Sequence, residues 1–334
     1  MRTAAVAALL ILAAVTSFWF VTSSGPFAVI EPSQWALDLT EVSDVHALGY
    51  SGSGVTVCVV DSGVDLSHPE LIGVNLVAWK DFVNDRTSAY DDFGHGTAMA
   101  GIIFAGGRLP GIAKSAALIA VKAISSSGSG TDLDVANAIR FCVDPNADGD
   151  LGDGAHVISL SLGGNARPFL GSATEDAANA AMDRGVIVVA AAGNDGEDDD
   201  GDVESPASVP RVVAVGAVNR QGVLATWSSR GQNLFTFDPD KKPEVVAPGV
   251  SIATILPDGA YAYVSGTSPA AAFVAGIVAL LLGEHPAYRH ASALLTDLKF
   301  ALMRGACGCS GSPVLHDDRY GYGIVQALAT DALL

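Results

Sequence analysis

The chain predicts a doubly wound α/β domain, with a mostly parallel sheet and helices on both faces, and three observations carry that expectation. Short β-branched, near-continuously apolar runs recur between stretches of helical period. Hydrophobic residues make up 49% of the 334 positions, enough to cover both faces of a sheet. The 37 glycines suit a fold with many tight strand-to-helix turns.

In chain order, the first strong strand is Val55 to Val60, β-branched except at Cys58. A helix follows at His95 to Phe104, then a strand at Ala117 to Lys122 and a helix at Asp132 to Phe141. Next come a strand at Val157 to Leu160, a helix at Ser172 to Asp183, and strands at Val186 to Ala191 and Val212 to Val215. Helices at Ser268 to Leu282 and Ala291 to Met303 complete the series, and no repeat is visible. Asp61 closes the first strand, whereas His95 and Ser268 open helices. Ligands of open α/β sheets gather outside the carboxyl ends of the strands, so these three residues can meet at one rim.

A net charge of −18, with only 18 scattered basic residues, excludes a nucleic-acid binder, which needs clustered Lys and Arg. Cations and basic peptides are the natural partners of such a field. Residues 1–23, with one Arg and then an uncharged, mostly apolar run, read as an export signal or an N-terminal membrane anchor, with a buried helix as the third possibility. Either of the first two places the following domain outside the cytoplasm. Residues 24–34 form a short linker, one domain occupies 35–334, and a monomer is expected. Of four cysteines, Cys58 lies in an apolar strand and reads as a free, inert thiol. Two among Cys142, Cys307 and Cys309 could pair in an exported protein.

Three motifs hold an acid, a base and a nucleophile in that order: VVDSGVD at Asp61, GHGTAMAG at His95 and SGTSPAAA at Ser268. AAAGND at Asn194, SLSLGG from Ser159, KPEVVAPG from Lys242 and RYGYG from Arg319 accompany them. Together they resemble the subtilisin-like serine proteases over most of residues 35 to 328. The resemblance implies a serine endopeptidase working through an acyl-enzyme, with Ser268 as nucleophile, His95 as base, Asp61 orienting the imidazole and Asn194 as oxyanion donor. Pro269 after Ser268 departs from the usual Met of the family. Proline favours the first helical position, so Ser268 is expected at the N-cap. By the same resemblance, Gly128, Ser129 and Gly130 with Ser161, Leu162 and Gly163 sandwich an extended polypeptide substrate. Ala192 and Gly193 form a wall of the primary pocket, expected to be roomy and largely apolar. The family's sizeable propeptide has room for little more than ten residues between signal and domain. A catalytically inactive scaffold and a narrow-specificity processing peptidase are the alternatives.

Residues 144–154, DPNADGDLGDG, follow the calcium-loop pattern of an EF-hand, with Asp144, Asn146 and Asp148 as side-chain oxygen ligands, Gly149 at the turn and Asp150 through its backbone carbonyl; the final Glu is missing, and Asp153 could substitute. A solvated acidic loop is the competing reading. The acidic stretch from Asp195 to Glu204 reads as a surface loop, a second cation site or a preference for basic substrates.

Overall fold

The computed structural model describes residues 30–164, 171–196, 203–231, 236–306 and 315–334, and the backbone of Ala13–Ala14. The rest of the leader, Cys307 and Cys309 lie outside the described residues.

The strands are β1 (Ala13–Ala14), β2 (Thr56–Asp61), β3 (Leu76–Asp81), β4 (Ala117–Lys122), β5 (Ser129–Gly130), β6 (Val157–Leu160), β7 (Ile187–Ala191), β8 (Val213–Val218), β9 (Val245–Pro248), β10 (Ile252–Leu256) and β11 (Ala260–Val264). The helices are α1 (Gln34–Leu39), α2 (Val42–Ala47), α3 (His95–Phe104), α4 (Asp132–Val143), α5 (Ala173–Asp183), α6 (Thr267–Glu284), α7 (Leu295–Gly305) and α8 (Ala327–Asp331). Seven strands form one parallel sheet in the order β3-β4-β2-β6-β7-β8-β9. From β2 the chain passes to the edge at β3, returns to β4 between the two, and crosses β2 to begin the other half at β6. The strand order therefore reverses beside β2, and Asp61 ends that strand at the switch point where such sheets bind ligands.

Burial explains the elements. Strands β6, β7, β8 and β9 are buried at every position, as a sheet covered on both faces requires. Helix α6 is buried from Thr267 to Leu282 and so is apolar all round, a central core helix rather than an amphipathic one. It packs on α3 and on β6 to β9, while α4 and α5 pack on each other. Helix α5 begins with a capping box between Ser172 and Glu175, and α4 is capped by Thr131.

Two expectations are corrected. Cys58 is not a free thiol: it is disulfide-bonded to Cys142, with Cα atoms 5.8 Å apart. Its apolar strand surroundings are real, but the last turn of α4 lies directly over the middle of β2. Secondly, α6 starts at Thr267 with Gly266 as N-cap, which places Ser268 and Pro269 inside the first turn. The Asn194 side chain accepts the Thr267 N–H at 2.9 Å and supplies the cap from outside the helix.

Candidate active site

Two glycines allow the closest approach in the site. A Cβ on Gly96 would lie 2.1 Å from the Gly63 carbonyl oxygen and 3.1 Å from Asp61 Cβ. Gly63 has φ +116°, and a Cβ there would lie 1.9 Å from the Tyr90 carbonyl oxygen. Without side chains at either position, the first turn of α3 presses on the end of β2 and sets His95 beside Asp61. His95 Nδ1 lies 2.7 and 2.8 Å from the two Asp61 carboxylate oxygens, with both residues only 1% exposed. The Ser62 N–H also donates to Asp61 Oδ1, at 2.7 Å.

Two polar residues without motif status hold this corner. Asp91 accepts from the Ser62 hydroxyl at 2.8 Å, from the N–H groups of Phe93, Gly94 and Thr97, and from the Thr97 hydroxyl. It thereby ties the turn after Asp61 to the start of the His95 helix. Lys122, at 0% exposure and in register with Asp61, donates to the Ser62 and Ile124 carbonyls and to Asp92. A buried ammonium needs such complete satisfaction, and here its partners are the loops that frame the site.

Ser268, 4% exposed, is held from the other side. Its hydroxyl donates to the Ser161 carbonyl at 3.1 Å, and the Ser161 hydroxyl donates to the Ser268 carbonyl at 3.0 Å. Thr267 laces the adjoining segment: its hydroxyl and N–H both donate to Asn194 Oδ1, at 3.1 and 2.9 Å. With the amide oxygen so engaged, the NH₂ of Asn194 is the end that can donate.

The proposed binding residues gather around this centre. Gly128 sits against the Phe93 ring, two residues before His95. Ser129 and Gly130 form β5, whose edge pairs antiparallel with Ala14 and Ala13. Leu162 is 4% exposed, so its side chain belongs to the core and the 161–163 segment offers its backbone. Ala192 is buried, and Gly193 exchanges hydrogen bonds with the Thr267 hydroxyl at 3.2 Å. The wall expected to be largely apolar has an acid beside it: the Glu204 side chain lies against Gly163 and Gly193. The residue type was in view as part of an acidic stretch, but nothing local places it there.

Of the five calcium candidates, three converge: carboxylate oxygens of Asp144, Asp148 and Asp153 lie within 4.8 Å of one another. Asn146 is committed inside the loop, with its amide donating to Asp148 Oδ2 and accepting the Asp148 N–H, both at 3.0 Å. The Asp150 carboxylate accepts the Gly152 N–H at 3.0 Å, which leaves its backbone carbonyl, the expected ligand, unaffected. The loop follows α4 but leads into β6, so it has one flanking helix. Asp153 Oδ1 is buried with no hydrogen-bond partner among the described residues, which suits an oxygen awaiting a cation.

A parallel sheet with a buried Asp–His pair at its switch point, and a serine at a helix start beside an asparagine amide, defines the serine-hydrolase class. The sequence model of the Subtilase family matches residues 52–323, and the chain belongs to that family of serine peptidases. It is 40% identical to Subtilisin E of Bacillus subtilis (strain 168) over 252 residues, covering 74% of this chain and 60% of that protein. The same identity and length hold for Subtilisin of Bacillus pumilus, of which 83% is covered. M-protease of Shouchella clausii (strain KSM-K16) is 34% identical over 298 residues, 88% of this chain and 69% of that protein.

Proposed function

We propose that the chain is an exported serine endopeptidase acting through Ser268, His95 and Asp61. The observation that carries this reading is the buried contact of both Asp61 oxygens with His95 Nδ1. A carboxylate there keeps the proton on Nδ1 and leaves Nε2 as the base. The Ser268 hydroxyl rests on the Ser161 carbonyl, and the reaction requires it to turn from there toward the imidazole; catalytic hydrogen bonds commonly tighten only when substrate is bound.

As Ser268 Oγ bonds to the substrate carbonyl carbon, its proton passes to Nε2. The carbonyl oxygen takes the negative charge and is met by the Asn194 NH₂ and by the Ser268 N–H, which lies in a first helical turn where amides lack intrahelical acceptors. His95 then gives the proton to the departing amine, and the C–N bond breaks. Water, deprotonated by His95, cleaves the ester and restores the hydroxyl. The polypeptide lies extended between Gly128–Gly130 and Ser161–Gly163, and the pairing of β5 with Ala13–Ala14 supports the competence of that edge.

The Cys58–Cys142 disulfide and the apolar leader support a location outside the cytoplasm, secreted or membrane-anchored. Full-length protein is expected to hydrolyse casein and to take up one fluorophosphonate per molecule, both lost in Ser268→Ala. Folded wild-type protein that neither labels nor hydrolyses would make the chain an inactive scaffold.

Asp144, Asp148 and Asp153 would hold calcium, which supplies no chemistry to the reaction but ties the end of α4 to the approach to β6. At a hundredfold excess over its dissociation constant, a bound ion adds about 2.7 kcal/mol to stability. Chelation should therefore lower the melting temperature by several degrees, and Asp148→Ala should abolish the difference. Superimposable melting curves with and without EDTA would exclude the site.

A further inference from the structure

Glu204 is fixed by its backbone to two of the segments that line the cleft. Its N–H donates to the Ala192 carbonyl at 2.8 Å, and the next residue, Ser205, exchanges backbone hydrogen bonds with Gly164 at 2.9 and 3.1 Å. The side chain therefore enters the space between the 161–163 and 191–193 segments. Gly163 and Gly193 present bare backbone to it: a Cβ on Gly163 would stand 2.2 Å from Glu204 Oε2, and one on Gly193 would stand 2.7 Å from Glu204 Cγ. The Asn194 backbone N–H faces the carboxylate and favours its charged form. The group thus sits one residue-length from the amide assigned to the oxyanion.

We propose that Glu204 forms the floor of the primary specificity pocket and selects polypeptides with arginine or lysine on the acyl side of the scissile bond. The assignment rests on the peptidase reading and goes beyond it in naming the substrate class. A half-buried carboxylate is costly unless paired, and among the described residues the surroundings leave this one under-compensated. Among the described residues, the charged groups around it are mostly acidic. Asp195 adds a like charge and accepts from the Ser229 hydroxyl; Glu175 accepts from the Ser205 hydroxyl at 2.8 Å; and the Arg230 guanidinium donates to the Gly196 carbonyl at 2.8 Å. A guanidinium entering the slot would pair with both carboxylate oxygens and offset the Asp195 charge. An apolar side chain would bury the carboxylate further without compensation, which is selection against it as well as selection for the cation.

Burial, with the Asp195 charge second, pushes the Glu204 carboxyl up to about 7. The pocket floor is then neutral in acid and anionic above neutrality. The preference for a basic over an apolar residue should climb as pH rises from about 6 to about 8. Both substrates use the same catalytic groups, so any pH dependence of those groups cancels in the ratio.

The test compares kcat/KM for peptides that differ only in this residue: Arg, Lys, Phe or Leu. Wild type should favour Arg and Lys over Phe by at least tenfold at about pH 8, and Glu204→Gln should lower that ratio by ~10²-fold. A wild-type preference for Phe or Leu, or a ratio unmoved in Glu204→Gln, overturns the proposal. Benzamidine, an amidinium probe, separates this failure from failure of the peptidase reading. Calorimetric binding to wild type that weakens at least tenfold in Glu204→Gln upholds the pocket even if no peptide is hydrolysed, and absence of binding to wild type overturns it. Melting curves of both proteins confirm that the variant is folded.

Discussion

Asp61→Asn is expected to lower kcat by about 10⁴-fold while shifting the melting temperature by only a few degrees. The amide keeps the shape of the carboxylate, and its oxygen can still accept the Ser62 N–H that now donates to Asp61 at 2.7 Å. What changes is the proton count toward His95. Both oxygens of Asp61 face Nδ1, so an asparagine must either turn its NH₂ onto that nitrogen or leave the imidazolium without its counter-charge. In the first case Nδ1 becomes an acceptor and Nε2 carries the proton, which is the wrong tautomer for a base. In the second, the cation formed during attack is unpaired at 1% exposure, where an uncompensated charge is most expensive. Fluorophosphonate labelling should slow in parallel with turnover, because both need the same proton transfer. A loss of less than tenfold in both would remove Asp61 from its assigned role.

The residues of this chemistry stand out in the sequence because each sits in a short motif whose neighbours are constrained by packing. Gly63 and Gly96 are examples, since each fills a place where a Cβ would collide with backbone. Strands β4 and β6 and helix α3 are legible to the residue, their ends marked by the change from apolar run to turn or helix. The hairpin of β10 and β11 carried its own signal, Asp258-Gly259, both at positive φ (63° and 73°), a turn chemistry that matches twisted antiparallel strands. Asp91, Lys122 and Thr267 were illegible for a different reason. Their importance lies in which segments they join, and a polar residue in a loop, at a strand end or at a helix start looks alike whether it joins two segments or faces water. Glu204 is the sharpest case, because its neighbours Gly163 and Gly193 are set by long-range pairing of Ser205 with Gly164. Position along the chain did suggest a link to basic substrates, but only the fold brings the carboxylate to the cleft wall.

Replacing both Cys58 and Cys142 by Ala is expected to cost about 4.5 kcal/mol of stability, the loop-closure entropy of a chain crosslinked across 84 positions. For a domain of this size that corresponds to a fall in melting temperature of about 5–10 °C. The crosslinked segment contains β3, α3, β4, β5 and α4, and hence His95 and the β5 substrate edge. It also contains Asp61, just after the first anchor, whereas Asp144 lies just past the second. The bond therefore constrains the half of the site that must find Ser268, more than two hundred residues from Cys58 in the chain, and narrows the unfolded ensemble from which that meeting occurs. Both cysteines are fully buried in the core, so reductant should reach the bond only as fast as the region opens. Native protein should resist reduction, whereas denatured, unreduced protein should still withhold both thiols from iodoacetamide. Alkylation of Cys58 and Cys142 without prior reduction would show that the pair is not joined. In that event the two side chains would contribute only as small buried apolar groups, and their replacement by Ala would cost far less.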